Sequence, residues 1–254
     1  MAQPLTCVSC YYPIKNKHGN SFLTWFKNTL SINCPYVIFG NKEGLETVKQ
    51  FRGDLPTYYI EMDISDFRTY KYRDLMIVHE VHCPSVELNL VWNEKIFMME
   101  KALHLNPFNS EWFMWIDAGI SPFRETAPSP NPVDMSVFDA LPKDKIIYCE
   151  SYAYIPELVT PTSYYHHVSG TSYIIHRDII ETCAWQYENY LKNLVSPSNI
   201  WTDQLIWTHI FKDSPDLFYK WFTGYGENAR YLWGEPRFPL TPPPNPPRGF
   251  DVKI

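Results

Sequence analysis

The segment Trp112-Phe113-Met114-Trp115-Ile116-Asp117-Ala118-Gly119 decides the fold class. Its first five residues are all apolar, which predicts a β-strand that is buried on both faces in the middle of a sheet. Asp117 and the small residues after it stand where that strand ends. Because α/β proteins bind ligands at the carboxyl ends of their strands, Asp117 and Gly119 are candidate site residues.

Strands and helices alternate on both sides of this segment. The predicted strands are residues 5–12, 36–39, 58–62, 145–150 and 170–175, besides 112–116. Helical spacing of apolar residues predicts helices at residues 21–30, 44–51, 85–105, 179–194 and 201–211. This alternation is typical of an α/β fold in which helices flank a mostly parallel central sheet. We expect a single domain over residues 1–240 and a Pro-rich tail over residues 241–254, where a run such as Thr241–Arg248 favours polyproline II.

Composition and charge exclude several classes of protein. The 254 residues carry a formal charge of −6, which disfavours nucleic acid and anionic membranes as partners. No apolar run approaches the roughly 18 residues of a membrane-spanning helix, and residues 1–10 lack a signal-peptide pattern. We therefore expect a cytoplasmic protein without a transmembrane segment, whose six cysteines are reduced.

Aromatic residues are unusually abundant, at 17% of the chain. They either fill a large core or provide surfaces that stack on sugars or bases, and composition leaves both interpretations open. The pair Cys7 and Cys10 lies in a predicted strand, which favours packed thiols over redox chemistry or a zinc site. The sequence Gly224-Tyr225-Gly226-Glu227-Asn228-Ala229 matches a dinucleotide-binding pattern, but too few residues follow it for a βαβ unit.

The sequence leaves three possible roles open for Asp117. It could bind a divalent metal, pair with a lysine such as Lys95 from the preceding helix, or cap the next turn. We place Asn93 and Lys95 on the polar face of that helix, where Lys95 would be partly exposed. Asp203, beside Gln204 at a helix start, could act chemically or simply compensate the helix dipole.

A polar, glycine-containing stretch precedes the predicted strand 170–175. Ser169 and Gly170 lie in it, and the missing side chain of Gly170 would let a substrate approach the backbone closely.

Several of these segments together resemble the HtrL/YibB-like family of proposed glycosyltransferases, within the wider set of proteins that have the GT-A nucleotide-sugar-binding fold. The resemblance covers about four fifths of the chain. Its motifs are Tyr11-Tyr12-Pro13-Ile14-Lys15-Asn16-Lys17-His18, Val91-Trp92-Asn93-Glu94-Lys95, Asn106-Pro107-Phe108-Asn109-Ser110, Trp115-Ile116-Asp117-Ala118-Gly119, Ser169-Gly170 and Asp203-Gln204.

The resemblance implies a GT-A-like, Rossmann-like fold and a transferase that moves a hexosyl or pentosyl group. The donor would be a nucleoside diphosphate sugar, with a UDP-sugar favoured, and the acceptor a glycan or another hydroxyl group. GT-A enzymes usually carry Asp-x-Asp for a Mn²⁺ or Mg²⁺ ion, and Asp117 takes that place here. Either Gly119 or Trp115 replaces the other acid, so a metal would depend on one carboxylate and on the diphosphate oxygens.

The resemblance also implies a role for each candidate residue. The donor would be bound by Tyr12, Pro13, Lys15, Asp63, Asn93, Lys95, Asp117, Gly119, Ser169 and Gly170. Catalysis would fall to Asp203 and Gln204, at the position where related enzymes have an Asp-Gln pair. The alternative is a lectin-like carbohydrate-binding protein that kept the fold after losing its second metal-binding acid.

Overall fold

One seven-stranded sheet organises residues 5–15, 18–19, 21–80, 82–195 and 202–234, which the computed structural model describes. The strands are β1 Leu5–Cys10, β2 Tyr36–Gly40, β3 Thr57–Glu61, β4 Trp112–Ile116, β5 Ile146–Glu150, β6 Val168–His176 and β7 Phe218–Thr223. Their order across the sheet is β3-β2-β1-β4-β6-β5-β7. Only β6 runs antiparallel to its neighbours, so the predicted single-domain α/β fold with a mostly parallel sheet is confirmed.

Helices cover both faces of this sheet. They are α1 Ser21–Leu30, α2 Lys42–Arg52, α3 Val86–Leu105, α4 Ile180–Leu194, α5 Asp203–Asp213 and α6 Glu227–Trp233. Helices α1, α2 and α6 pack into the hydrophobic core on one face, and α3, α4 and α5 pack into the core on the other. Each face is therefore shielded from water, which is what the long apolar strands require.

Strand β4 lies at the centre and contributes to both cores. Trp112, Met114 and Ile116 pack on the face of α1, α2 and α6, whereas Phe113 and Trp115 pack on the opposite face. Successive side chains of a strand point to opposite faces, so an all-apolar strand fits only a sheet that is covered twice. The predicted bounds and the double burial of this strand are both confirmed.

The middle of α3 is buried on its polar side as well. Asn93, Glu94 and Lys95 are all enclosed, so the prediction of a polar, partly exposed face at Asn93 and Lys95 is wrong. The reason is that α4, α5 and a 3₁₀ segment, Arg68–Leu75, pack around this helix. Local periodicity could not reveal a cover that distant parts of the chain supply.

The turn Asn106–Ser110 fixes where β4 begins. Asn106 ends α3 in the left-handed conformation, with φ at 32°, and its side chain exchanges two hydrogen bonds with the backbone of Ser110. The Ser110 hydroxyl in turn lies 2.7 Å from the Thr6 hydroxyl of β1. This motif therefore sets the register between β1 and β4 and stands apart from the candidate site.

The sequence did not predict β7 and α6. Gly226 precedes α6 with φ at 78°, and a Cβ atom there would lie 2.8 Å from Ile120 and 2.9 Å from Pro122. Gly226 of the dinucleotide-like pattern thus serves close packing after β4, which agrees with setting that pattern aside. The expected tail, 241–254, lies outside the described residues. Within the described ranges, no helix has the length and apolar character needed to cross a membrane, and Cys7 and Cys10 are buried free thiols.

Glu94 attaches the 3₁₀ segment to α3. Its carboxylate accepts hydrogen bonds from Arg68 N at 2.8 Å, Thr69 N at 3.0 Å and Thr69 Oγ1 at 2.7 Å. Burial raises the pKa of Glu94 to about 7 although these donors oppose the shift.

We predict that Glu94→Gln lowers the free energy of unfolding by about 2 to 4 kcal/mol at pH 8, because the amide turns a donor toward a backbone N–H. Glu87→Gln is the matched control on the same helix, since its carboxylate is 40% exposed and 3.6 Å from Arg73. The free energy of unfolding of Glu87→Gln should fall by less than about 1 kcal/mol. Urea denaturation measures both, and equal losses would contradict this role of Glu94.

Candidate functional site

A cavity of about 670 Å³ opens at the carboxyl edge of the sheet. Sites for small molecules commonly have volumes of about 300 to 1,000 Å³, so a ligand larger than one sugar ring fits. Much of its wall is aromatic. The predicted site residues that line it are Tyr12, Lys95, Asp117, Gly119, Gly170, Asp203 and Gln204.

The Lys95 ammonium group joins the parts of this site. Its Nζ lies 2.9 Å from Asp117 Oδ1 and 3.1 Å from Asp203 Oδ2, and it donates to the backbone oxygen of Gly170 at 2.9 Å. The group also lies 5.6 Å from the centre of the Trp115 ring. One side chain of α3 therefore ties together β4, β6 and the first turn of α5, so Lys95 is held in one place.

Two carboxylates share this single cation. The side chains of Lys95 and Asp203 are each 4% exposed, whereas Asp117 is 29% exposed. Burial alone would lower the pKa of Lys95, but Asp117 and Asp203 raise it above its usual value. Burial raises the pKa of Asp203 to about 6, opposed by Lys95 and reinforced by Asp117. Asp203 therefore takes up a proton as the pH falls through about 6.

Gly170 and Gln204 fix the position of Asp203. The backbone N–H of Gly170 donates to Gln204 Oε1 at 3.0 Å. A Cβ atom at Gly170 would overlap Asp203 Oδ2 and lie 2.8 Å from Gln204 Cγ. The glycine is therefore needed for the close approach of α5 to β6, a different role from the close approach of a substrate that the sequence predicts.

Asp117 faces the cavity with one oxygen uncommitted. Trp115 Nε1 donates to Asp117 Oδ1 at 2.7 Å, and Lys95 contacts the same oxygen. The lysine partner proposed from the sequence is confirmed. Oδ2 has no hydrogen-bond or ion-pair partner among the described residues.

A resident metal centre fits these residues poorly. No cluster of three or more His, Cys, Asp or Glu side chains that could hold a metal occurs in the part of the chain that the structure describes. Asp203 is 4% exposed and pairs with Lys95 through Oδ2, whereas Asp117 is 29% exposed and its Oδ2 has no partner among the described residues. A divalent cation here would need most of its ligands from a bound substrate and water.

Three of the predicted site residues lie away from the cavity near the first and third strands. Pro13 and Lys15 are exposed and outside its lining. Asp63 is exposed too, and its backbone N–H donates to Asp66 Oδ2 at 3.1 Å as part of a capping box. Tyr12 lines the cavity, but its hydroxyl donates to Met62 O at 3.0 Å.

Asn93 and Ser169 are buried beside the site and absent from the cavity lining. The amide of Asn93 donates to Asn89 Oδ1 at 2.7 Å and accepts from the Tyr187 hydroxyl at 2.8 Å. The Ser169 hydroxyl lies 2.9 Å from Thr171 Oγ1. Both residues support the elements that carry the site.

Sequence reasoning missed other polar residues of the cavity wall. Arg124 follows β4 in an irregular segment, and His166, Tyr152 and Tyr225 form a contacting group in which His166 Nε2 lies 2.8 Å from the Tyr225 hydroxyl. The sequence held a partial signal for three of them. His166 begins the polar stretch that contains Ser169 and Gly170, Tyr225 stands in the dinucleotide-like pattern, and Arg124 follows shortly after Gly119.

The HtrL_YibB family, described as a bacterial protein of unknown function, matches residues 66–149. This match covers a third of the chain and includes Asn93, Lys95 and Asp117. A comparison with curated proteins finds no match.

Two solved structures resemble the overall fold. One is the 4-diphosphocytidyl-2C-methyl-D-erythritol synthase of Anaerococcus prevotii, with a TM-score of 0.43, 14% identity and 87% of each chain covered. The other is a nucleotidyl transferase from a Methanothermobacter species, with a TM-score of 0.40, 7% identity and 83% of each chain covered. Similarity at this level says nothing about substrate or reaction.

The raised pKa of Asp203 predicts a pH-dependent stability. Folding moves this pKa from 3.8 to about 6, so the folded state binds the extra proton between these values. The contribution of Asp203 to stability is present at lower pH and is lost as the pH rises through this window. Asp203→Asn should therefore flatten the decline in stability from pH 4 to pH 6, by roughly 2 to 3 kcal/mol.

Urea denaturation of wild type and variant at pH 4, 5, 6 and 7 measures this difference. Asp139→Asn, at an exposed carboxylate, is the control and should keep the wild-type slope. An Asp203→Asn curve parallel to that of the wild type would rule out a proton on Asp203 in the folded state.

Proposed function

We propose that the protein is a glycosyltransferase that moves a sugar from a nucleoside diphosphate sugar, with a UDP-sugar favoured, to a glycan or other hydroxyl acceptor. The observation that carries the proposal is the Lys95 ammonium held between Asp117, Gly170 and Asp203 in the wall of the cavity. Preorganised charges in a pocket are what a reaction with developing charge requires.

The exposed oxygen of Asp117 supports a role toward the donor. Glycosyl transfer leaves negative charge on the departing diphosphate, and a cation beside it lowers the barrier. A Mn²⁺ or Mg²⁺ ion that accompanies the donor would be held through Asp117 Oδ2 and would supply that positive charge. Trp115 and Lys95 hold the other carboxylate oxygen, so Oδ2 stays oriented.

The buried acid Asp203 supports proton transfer. The acceptor hydroxyl must lose a proton as it attacks the sugar, and a general base is most effective when its pKa lies near the working pH. The pKa of Asp203 is raised to about 6 by burial, and the residue lines the cavity. Gln204 accepts from Gly170 N and so keeps the first turn of α5 against β6.

The first test measures thermal stability with a panel of nucleoside diphosphate sugars, with and without Mn²⁺. We expect Mn²⁺ alone to leave the melting temperature unchanged, because the site offers one carboxylate. A bound donor at about 100 times its dissociation constant adds about 2.7 kcal/mol and raises the melting temperature by several degrees. A shift with Mn²⁺ alone, or none with any donor, would contradict the proposal.

The second test measures sugar transfer and donor hydrolysis. Asp117→Asn should keep the fold and lower turnover about 100-fold or more. Asp134→Asn is the matched control, because Asp134 is an exposed cap of a 3₁₀ turn and Asn caps equally well. Donor binding without transfer or hydrolysis in the wild type would instead indicate the lectin-like alternative.

A further inference from the structure

Arg124 is a second cation in the wall of the cavity. Its guanidinium carbon lies 4.2 Å above the centre of the Trp25 ring, and its Nε donates to Gly119 O at 3.2 Å. The side chain is half-buried. Its two terminal nitrogens, Nη1 and Nη2, have no hydrogen-bond or ion-pair partner among the described residues.

The segment that carries Arg124 is held rigidly. Asn28 of α1 donates to Phe123 O at 2.9 Å, and the backbone of Phe123 and Arg124 closes 3₁₀ turns onto Ile120 and Ser121. Because Gly226 has no side chain, the start of α6 packs closely against Ile120 and Pro122 of the same segment. Both the backbone and the stacked guanidinium are therefore fixed before any ligand binds, which lowers the entropic cost of binding.

Arg124 and Lys95 differ in whether a carboxylate lies beside the positive charge. Among the described residues that line the cavity, Lys95 is the only lysine and Arg124 is the only arginine. Lys95 is already matched by Asp117 and Asp203 at 2.9 and 3.1 Å. Arg124 makes no such ion pair, so its charge is the one available to a ligand.

We infer that Arg124 binds phosphate oxygens of the ligand in this cavity, with Nη1 and Nη2 as the donors. The planar fork of a guanidinium matches two oxygens of a phosphate, and stacking on Trp25 leaves its edge open for such contacts. The assignment rests on the proposed function for the identity of the ligand, the diphosphate of a nucleotide sugar. Phosphate recognition then falls to a residue of the segment after β4, and not to Lys95, which the resemblance placed among the donor-binding residues.

Calorimetric titration with inorganic pyrophosphate tests the assignment without requiring the correct donor sugar. Arg124→Gln removes the charge and should weaken binding about tenfold or more, the scale of a charge-assisted hydrogen bond. Arg124→Lys keeps the charge and loses the fork, so we expect intermediate affinity. Arg177→Gln is the control, since Arg177 is exposed and outside the cavity lining.

The melting temperatures of all variants show whether a weaker affinity comes from a lost phosphate contact or from a less stable fold. Arg124→Gln also loses the contacts to Trp25 and Gly119, so Arg124→Lys serves as the decisive variant if the glutamine protein unfolds. Unchanged pyrophosphate affinity in both Arg124 variants, or no pyrophosphate binding by the wild type, would overturn the assignment. Pyrophosphate binding that depends on Arg124, without transfer from any nucleotide sugar, would uphold it and contradict the proposed function.

Discussion

The ammonium group of Lys95 is shared between two carboxylates inside the protein, and the arrangement of the site depends on this constraint. Burying Asp203 without a cation would cost several kcal/mol, as would burying Lys95 without its carboxylate partners. The three side chains come from β4, α3 and α5, so their mutual attraction fixes these elements relative to one another. Gly170 completes the cluster because only a residue without a side chain lets α5 come this close to β6.

The motif that contains Lys95 divides into supporting and site residues. Asn93 joins α3 to α4 through Tyr187, and Glu94 attaches the 3₁₀ segment Arg68–Leu75. Val91, Trp92 and Lys95 line the cavity, and Lys95 is the charged residue among them. A helix turns about 100° per residue, so three consecutive polar residues must point in three directions, and each here has a partner from a different element. Their clustering in sequence therefore reflects a helix that is enclosed on all sides.

The central strand and the alternation of strands and helices as far as α5 could be predicted because they follow from local patterns. Five apolar residues before Asp117 require a strand covered on both faces, and the structure has that strand. The exposure of Lys95 could not be predicted, because its partners Gly170 and Asp203 lie 75 and more residues away in the chain. Arg124 was missed for the same reason: its importance comes from Trp25 beneath it and from the pairing of Lys95, and neither is visible in its neighbours.

The charges of the cavity lining constrain what can bind there. Lys95 and Arg124 are balanced by Asp117 and Asp203, so with Asp203 ionised the lysines, arginines and acids of the described lining sum to zero. A nucleoside diphosphate would bring at least two negative charges into a pocket where, of the two cations Lys95 and Arg124 in the described lining, Arg124 is the one without an ion pair. Under the proposed function, its binding is best balanced when a divalent cation enters with it, and Asp117 Oδ2 is the oxygen available to that cation. Under the same proposal, Arg124 would supply part of the positive charge that a metal held by two acids of an Asp-x-Asp pattern would otherwise provide.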